Sequence, residues 1–538
     1  MLCVDSVSLV SAAMAERANK IQNDDVASNF ARTFLRSCQD EIPTPIRGKT
    51  TGSIPSWLRG CLLRNGPGML DVGPDRYNHV FDGLAMLQRF AIDDDGITYQ
   101  TKFLRSEAYV KNTRANRIVV SEFCTAGHTD PCASIFQRMS SFFVPGFSDN
   151  ALINVMPIGD WYYAMTETPY LHRIDPANLD TLTRFDLRQV VAVNTATAHP
   201  LIDPTDGATY NVGSSKGGYA VVKFPPGESS IGRAELVATV PLRRRTHLGY
   251  IHSFGLTEHY IIILEQSLTV NVLKLVLAPV RSQTYSQCFE YDPDLLVCFH
   301  VVEKETGKQL ETKYVTESFF IFHHINAYEK DNHIVVDLCC HKDDSVFPTL
   351  STDVSERPTT PLLATPRRYV LPLQPDNTAK EGGANMVGLP DTTATATSRE
   401  DGTVYLRHED LGPQEYPFFC EMPRINDLYV GKSYRYFYIV AEWEGSETAL
   451  MKVDLEKKAR RTYSIQGWTA TEPLFVPRLG ASSEDDGIVL SVFLNTAEEQ
   501  MVTLVILDAE NFEELAKAEF VTPVVVPSSF HGWFDGIE

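Results

Sequence analysis

Short β-forming runs punctuated by turn dipeptides recur from about residue 40 to the C-terminus, and no other feature of the chain constrains its fold as much. Runs rich in Val, Ile, Tyr and Phe lie at Trp161 to Thr166, Tyr260 to Leu264, His333 to Leu338, Tyr436 to Ala441, Ile488 to Phe493 and Val502 to Leu507. Such side chains suit a pleated, half-buried surface. Asp-Gly recurs at Asp95-Gly96, Asp206-Gly207, Asp401-Gly402 and Asp486-Gly487, each followed by alternating apolar residues. Both residues tolerate φ > 0, so the dipeptide is a hairpin signal. A second pattern is a strand ending in Asp, a polar turn and another strand, at Leu171 to Asp175, Met451 to Asp454 and Leu504 to Asp508. Helical periodicity is scarce, with one short helix expected around Val26 to Arg36. Recurrent hairpins over most of 538 residues predict an all-β fold, either a β-propeller or a large sandwich array. The repeat is degenerate and does not count the blades. A propeller accounts for the lack of a clear linker, so the chain divides into a polar N-terminal segment, 1–40, and a single domain, 41–538. Ser351 to Pro366, rich in Thr, Pro and Ser, reads as a long surface loop.

Composition excludes several function classes. A content of 43% hydrophobic and 22% charged residues is that of an ordinary globular protein. With 48 Lys and Arg against 69 Asp and Glu, the net charge is −21, which argues against a general nucleic-acid binder. It also argues against attraction of the whole surface to anionic lipid, but leaves room for a local patch. The N-terminus lacks the positive flank of a signal peptide, with Asp5 in its place. No run approaches the roughly 18–20 apolar residues that span a bilayer. Ten cysteines contain no Cys-x-x-Cys pair, so neither a disulfide framework nor a zinc site is expected, and a reducing cytosol is the expected compartment.

Fourteen histidines are spread over the chain. His79, His128, His172, His247, His259, His300, His333 and His408 sit in plain polar contexts and read as surface or satisfied core residues. Four others occupy distinctive frames: His199 in Thr-Ala-His-Pro, His252 in Tyr-Ile-His-Ser-Phe-Gly, His323 in Phe-His-His-Ile-Asn, and His531 in Ser-Phe-His-Gly-Trp-Phe. Their gaps of 53, 71 and 208 residues exclude a local motif, so a shared site requires closure of the fold. Inner strands converging on a propeller axis provide such closure. Imidazole suits iron, copper, zinc or nickel. Four neutral imidazoles leave the full charge on a divalent ion, and carboxylates bonded to the far ring nitrogens would orient the ligands and offset that charge. Glu167 in Thr-Glu-Thr-Pro, Glu421 in Cys-Glu-Met-Pro and Glu472 in Thr-Glu-Pro-Leu-Phe are available for this. From pattern alone, the alternative is that the four histidines are buried polar residues bonded to backbone.

Further segments place these frames in a family. They are Leu62-Leu63-Arg64-Asn65-Gly66-Pro67-Gly68, His79-Val80-Phe81-Asp82-Gly83, Glu421-Met422-Pro423-Arg424-Ile425-Asn426, Glu472-Pro473-Leu474-Phe475-Val476-Pro477 and Glu484-Asp485-Asp486-Gly487. With the histidine frames, in this order over about residues 40–538, the chain resembles the carotenoid cleavage oxygenases, animal branch. The resemblance implies a seven-bladed β-propeller with a helix and loop cap carrying a substrate tunnel. It implies one Fe(II) on the axis, held by His199, His252, His323 and His531, with Glu167, Glu421 and Glu472 each bonding one of these histidines. His323 is chosen over His324 because the family's histidine immediately follows the Phe. It further implies a carotenoid and O2 as substrates, with Phe123, Thr166, Tyr250, Phe322 and Phe530 at the tunnel wall. Aromatic faces there can stabilise positive charge developing on the polyene. Core packing is the alternative for each.

A lipid-borne substrate implies a tunnel mouth that meets membrane. Leu268 to Val280 fits an interfacial segment, with Leu268, Val272, Leu273, Leu275, Val276 and Leu277 as contacts. Ala133 to Phe147 is a second candidate, through Phe142 and Phe143. The alternative for both is burial in the cap. Cys132 matches a position in the branch's Pro-Asp-Pro-Cys-Lys motif, but Thr129-Asp130-Pro131-Cys132-Ala133 lacks the first Pro and the Lys. The expected location is therefore the cytoplasm with peripheral membrane association. Central cleavage at the 15,15′ bond, eccentric cleavage and O2-independent retinyl ester isomerohydrolysis share these iron frames. In the isomerohydrolase a tryptophan follows Asp-Leu-Cys-Cys, whereas His341 follows Asp337-Leu338-Cys339-Cys340 here. The overall pattern most resembles the insect carotenoid isomerooxygenases, which couple central cleavage to trans-to-cis isomerisation of one product. A carotenoid carrier that kept the fold is the non-enzymatic alternative.

Overall fold

The computed structural model describes residues 33–132, 147–281, 283–358, 362–374, 383–412, 419–442 and 448–536. Among these the chain is almost entirely β. The α-helices are Glu107–Ala115, Val272–Arg281 and the single turn Val346–Thr349. The expected helix at Val26 to Arg36 lies mostly outside the described residues; Thr33 and Phe34, at its end, are helical.

The strands run as consecutive antiparallel meanders. Asn154–Ile158, Trp161–Met165, Tyr170–Ile174 and Thr181–Asp186 form one, and Thr195–Ala196, Thr209–Ser215, Gly218–Phe224 and Glu235–Pro241 form the next. The sequence signals account for the turns between them. Asp95-Gly96 closes the hairpin in which Asp93 faces Gly96, and Asp401-Gly402 lies between Ser398 and its partner Val404. Asp206-Gly207 lies in the loop joining Ile202 to its partner Thr209. Asp486-Gly487 departs from the expectation. Gly487 is already paired with Pro477, so the dipeptide ends a longer loop rather than forming a tight turn. Neighbouring meanders also merge through short parallel contacts, Tyr314 and Val315 with Val404 and Tyr405, and Ala364 with Phe419. The hydrogen-bonded sheets, of up to eight strands, are therefore larger than the repeating unit.

The two ends of the chain share sheets, which is how a ring of β-meanders closes. Gly532–Gly536 pairs antiparallel with Gly60–Met69, and Lys49–Gly52 pairs with Glu514–Val521. The described part of the N-terminal segment packs on the same seam. Cys38 N donates to Gly68 O, and Ser37 Oγ accepts from Leu70 N and Asp71 N. Gly60 sits on the closing pair at φ +141°, where an added Cβ would lie 2.1 Å from Asp535 O.

Gly60→Ala is therefore expected to destabilise the fold by about 2 kcal/mol. Gly232, around which no atom lies within 4 Å of an added Cβ, provides the control, and Gly232→Ala should leave the thermal midpoint almost unchanged. Thermal or urea unfolding of the two variants checks the difference.

Candidate metal centre

His199, His252, His323 and His531 converge, each with a ligand nitrogen within 4.8 Å of the others. Each sits in or beside a strand. His199 follows Thr195–Ala196, His252 precedes Gly255–Leu256, His323 lies in Phe320–Lys330, and His531 precedes Gly532–Gly536. Buried amides pin the loops that carry them. Asn65 Nδ2 donates to Ala151 O and Asn154 O, while Asn154 Nδ2 donates to Ala198 O beside His199. Asn65 also exchanges backbone bonds with Phe530 and His531. Ser253 Oγ donates to Phe322 O and accepts from His324 N, tying the His252 loop to the His323 strand. A bulge between Ile321 and His324 turns His323 inward. His324 bonds Ser253 Oγ through Nδ1 and lies outside the cluster, in line with the choice of His323.

Three carboxylates hold the outer nitrogens. His252 Nδ1 donates to Glu167, His323 Nδ1 to Glu421 at 2.5 Å and His531 Nδ1 to Glu472 at 2.7 Å. The protons therefore sit on Nδ1, and the Nε2 lone pairs face one another: His252 to His323 at 3.2 Å and His323 to His531 at 3.3 Å. His199 Nε2 is buried with no hydrogen-bond partner. Burial and the neighbouring imidazoles hold His199 well below the ordinary imidazole value, and burial brings His531 down to about 4. Burial opposes ionisation of Glu472, but the His531 imidazole, Arg424 and Arg64 bring its carboxyl down to about 2. Glu421 is likewise held low against burial, by His323 and His341. Neutral rings with convergent lone pairs, backed by ionised carboxylates, repel one another unless a cation sits among them. The residues present thus fit a four-imidazole metal site of the kind suited to a first-row divalent ion.

An aromatic cluster adjoins the four histidines. Phe322 packs edge-on to His252 at 4.9 Å between ring centroids. Phe81 touches Phe123 at 6.3 Å, Phe322 at 6.0 Å and Phe530 at 5.5 Å. Tyr250 packs on Phe289 and Phe320, and its hydroxyl donates to Glu167 at 2.7 Å. The expected wall residues Phe123, Tyr250, Phe322 and Phe530 are thereby gathered into one cluster, and Thr166 lies half-buried beside Glu167. Sequence reasoning did not single out Phe81, Phe289, Phe320 and Phe347, which complete it. Nor did it assign a role at the metal centre to Arg64, whose guanidinium bonds Glu472 at 2.5 Å, or to His341, which it marked only for standing where the isomerohydrolase has a tryptophan and which bonds Glu421. A charged residue inside the apolar run Cys61–Leu63 was the available signal for Arg64. His341 closes the buried strand His333–His341 with nothing in the sequence to mark its partner.

The other site expectations divide. His79, His172, His300 and His333 are buried with hydrogen-bonded rings, as satisfied core residues. All nine described cysteines are free thiols. Among the proposed membrane contacts, Leu268 is corrected: it is 1% exposed, within the strand Leu268–Asn271, where core packing claims it. Val272 and Leu275 are half-buried, while Leu273, Val276 and Leu277 are exposed on the helix Val272–Arg281. Phe142 and Phe143 lie outside the described residues; Phe147, at the end of that stretch, stacks on Tyr285.

Comparison with known proteins gives a consistent result. The family model described as retinal pigment epithelial membrane protein matches residues 35–535. The chain is 40% identical to human β,β-carotene 15,15′-dioxygenase, over 93% of this chain and 94% of that one. It is 38% identical to the carotenoid isomerooxygenase of Galleria mellonella, over 93% and 96%. Among solved structures, cobalt-substituted Synechocystis ACO is similar at a TM-score of 0.74 and 25% identity, covering 95% of this chain and 99% of that one.

Two outcomes follow from the geometry. His252→Ala is expected to lose stoichiometric Co(II) binding in a titration of the metal-free protein. Glu421→Gln is expected to weaken Co(II) affinity by roughly 10–100-fold, since a neutral amide no longer offsets the charge of the ion.

Proposed function

The chain belongs to the carotenoid oxygenase family that includes the retinal pigment epithelial membrane protein, and from that premise we propose that it cleaves a carotenoid at the central 15,15′ double bond with O2 on a non-heme iron. Both oxygen atoms enter the products, so one C=C bond becomes two aldehyde C=O bonds and retinal leaves. Trans-to-cis isomerisation of one product is the finer part of the proposal, supported by the similarity to an isomerooxygenase. The observation that carries the reading is the four-imidazole cluster beside an aromatic wall.

His199, His252, His323 and His531 would hold the iron. When bound, Fe(II) supplies the one-electron chemistry that lets O2 react with a closed-shell double bond. The protein's own groups do the rest. Glu167, Glu421 and Glu472 keep the Nδ1 protons of His252, His323 and His531 in place, so that the Nε2 of each is free to face the metal. Phe322, Phe81 and Phe530 offer an apolar surface against which a polyene can lie and from which water is excluded. Their faces, with Tyr250, favour positive charge on the polyene carbons. The choice of four neutral imidazoles leaves coordination positions for O2 or substrate.

The helix Val272–Arg281 is proposed as the membrane contact. Leu273 is 61% and Val276 63% exposed, while Lys274 on the same helix is paired with Glu290 at 2.8 Å. No helix among the described residues is long and apolar enough to cross a membrane, so contact here would be peripheral. One domain over 41–538 and a location on the cytoplasmic side of membranes belong to the same proposal.

Incubation with a C40 carotenoid, Fe(II) and O2 should give C20 aldehydes only, with a cis isomer among them. Apocarotenoids of unequal length would reject central cleavage; all-trans products alone would reject only isomerisation. Replacing Leu273 and Val276 together by Glu should reduce co-sedimentation with neutral lipid vesicles at least several-fold, without loss of cleavage of detergent-solubilised substrate.

A further inference from the structure

Glu421 is held from a side that none of the four converging imidazoles occupies. Its Oε2 accepts from His323 Nδ1 at 2.5 Å and from Met422 N at 3.0 Å. Its Oε1 accepts from His341 Nε2 at 2.6 Å, and His341 is 2% exposed. The strand register sets up this contact. His341 faces Ala364, and Ala364 faces Phe419, so three strands align with Glu421 two residues further on and on the same face as Phe419. Met422 adopts φ +59°, in the left-handed region, within the bulge between Glu421 and Arg424. Glu421 therefore stands at an irregular point of its strand, where backbone pairing alone does not define the carboxylate's direction.

We propose that His341 is a positioning residue for the metal centre: its Nε2–H fixes the Glu421 carboxylate, which in turn holds His323 with its Nε2 turned to the metal. The inference rests on the reading of the four imidazoles as metal ligands. With its proton on Nε2, His341 presents Nδ1 as an acceptor, and that atom is buried without a hydrogen-bond partner among the described residues. The ring thus carries a desolvation cost that packing alone would not require, since an apolar side chain would fill the space without it. The bond to Glu421 is the polar contact that accounts for a histidine here. A carboxylate anchored through only one oxygen at this irregular point of the strand is free to turn, and its hold on the His323 ring would loosen with it. His341 also touches the aromatic wall, with Phe320 at 5.6 Å and Phe322 at 5.7 Å between ring centroids. Phe322 in turn packs on His252, so His341 links the wall to the Glu421 side of the cluster.

The test compares His341→Gln with His341→Asn in Co(II) titrations of the metal-free protein, followed by the visible Co(II) spectrum. The side-chain amide of Gln reaches the position of the imidazole Nε2; that of Asn stops near Nδ1. His341→Gln should bind within about threefold of the wild type with an unchanged spectrum. His341→Asn should bind about tenfold more weakly, with an altered spectrum, the low end of the range for groups that orient metal ligands. Equal binding in both variants and the wild type, or equal loss in both variants, overturns the proposal. Should His341→Asn fail to fold, the wild type labelled with 15N-histidine decides. A slowly exchanging, low-field Nε2 proton on His341 supports the proposal, and the Nδ1–H tautomer overturns it. A wild-type protein that takes up neither Co(II) nor Fe(II) overturns the metal-site reading itself. Metal-binding wild type with indifferent variants overturns only the role of His341.

Discussion

The carboxylate-to-imidazole bond is the interaction on which the rest of this structure depends. Bringing four imidazoles within 4.8 Å of one another is unfavourable for either protonation state. Charged rings repel, and neutral rings turned inward set lone pair against lone pair. Taking the outer proton into a buried carboxylate resolves which nitrogen faces in, and fixes the ring at the same time. The cost moves to the carboxylates, since a buried ionised group must itself be paired or hydrogen-bonded. Each glutamate accordingly has another donor: Tyr250 for Glu167, His341 and Met422 N for Glu421, Arg64 and Gly532 N for Glu472.

These bonds explain why the chain must close. Glu167 and His252, Glu421 and His323, and Glu472 and His531 come from different meanders, and Arg64 reaches Glu472 from the opposite end of the chain. The pairing of Gly60–Met69 with Gly532–Gly536 therefore does two things at once. It adds the last strand of the chain to the first sheet, and it delivers both His531 and the guanidinium that balances Glu472. Charge follows the same logic. A divalent ion held by the four histidines would, with Arg64, offset the three carboxylates, of which Glu421 and Glu472 are buried and Glu167 is partly exposed.

The sequence made the large features legible and the small ones not. Val- and Ile-rich runs located the six strands they marked to within a few residues, because side-chain alternation is a local property. The four histidines could be named because their frames are distinctive, but only a closed fold makes gaps of 53, 71 and 208 residues into one site. Leu268 was misread because an apolar run does not show where a strand ends and a helix begins. The pairing of Leu268 with Tyr291 buries the first part, and the helix that starts at Val272 exposes the rest. The roles of His341 and Arg64 were hidden for a different reason. Their partners lie 80 and 408 residues away, and what makes each matter is the vacant oxygen of a carboxylate that no local pattern reveals.

The three glutamates are not equivalent, and the difference gives the centre a direction. Glu421 and Glu472 are nearly sealed, with side chains 6% and 1% exposed, and each uses both oxygens. Glu167 is 28% exposed and takes both of its donors, His252 and Tyr250, on one oxygen. His199, without a carboxylate partner among the described residues, is the half-buried member of the histidine set. The less enclosed side of the cluster is therefore that of Glu167 and His199, with Tyr250 beside it. The sealed side, by contrast, is held by Arg64, His341 and paired backbone, which fix His323 and His531 rigidly. His323 and His531 are thus backed by sealed carboxylates bonded through both oxygens, while His252 and His199 lie toward the less enclosed side. That arrangement suits chemistry in which a long apolar molecule must slide to one bond and stop there.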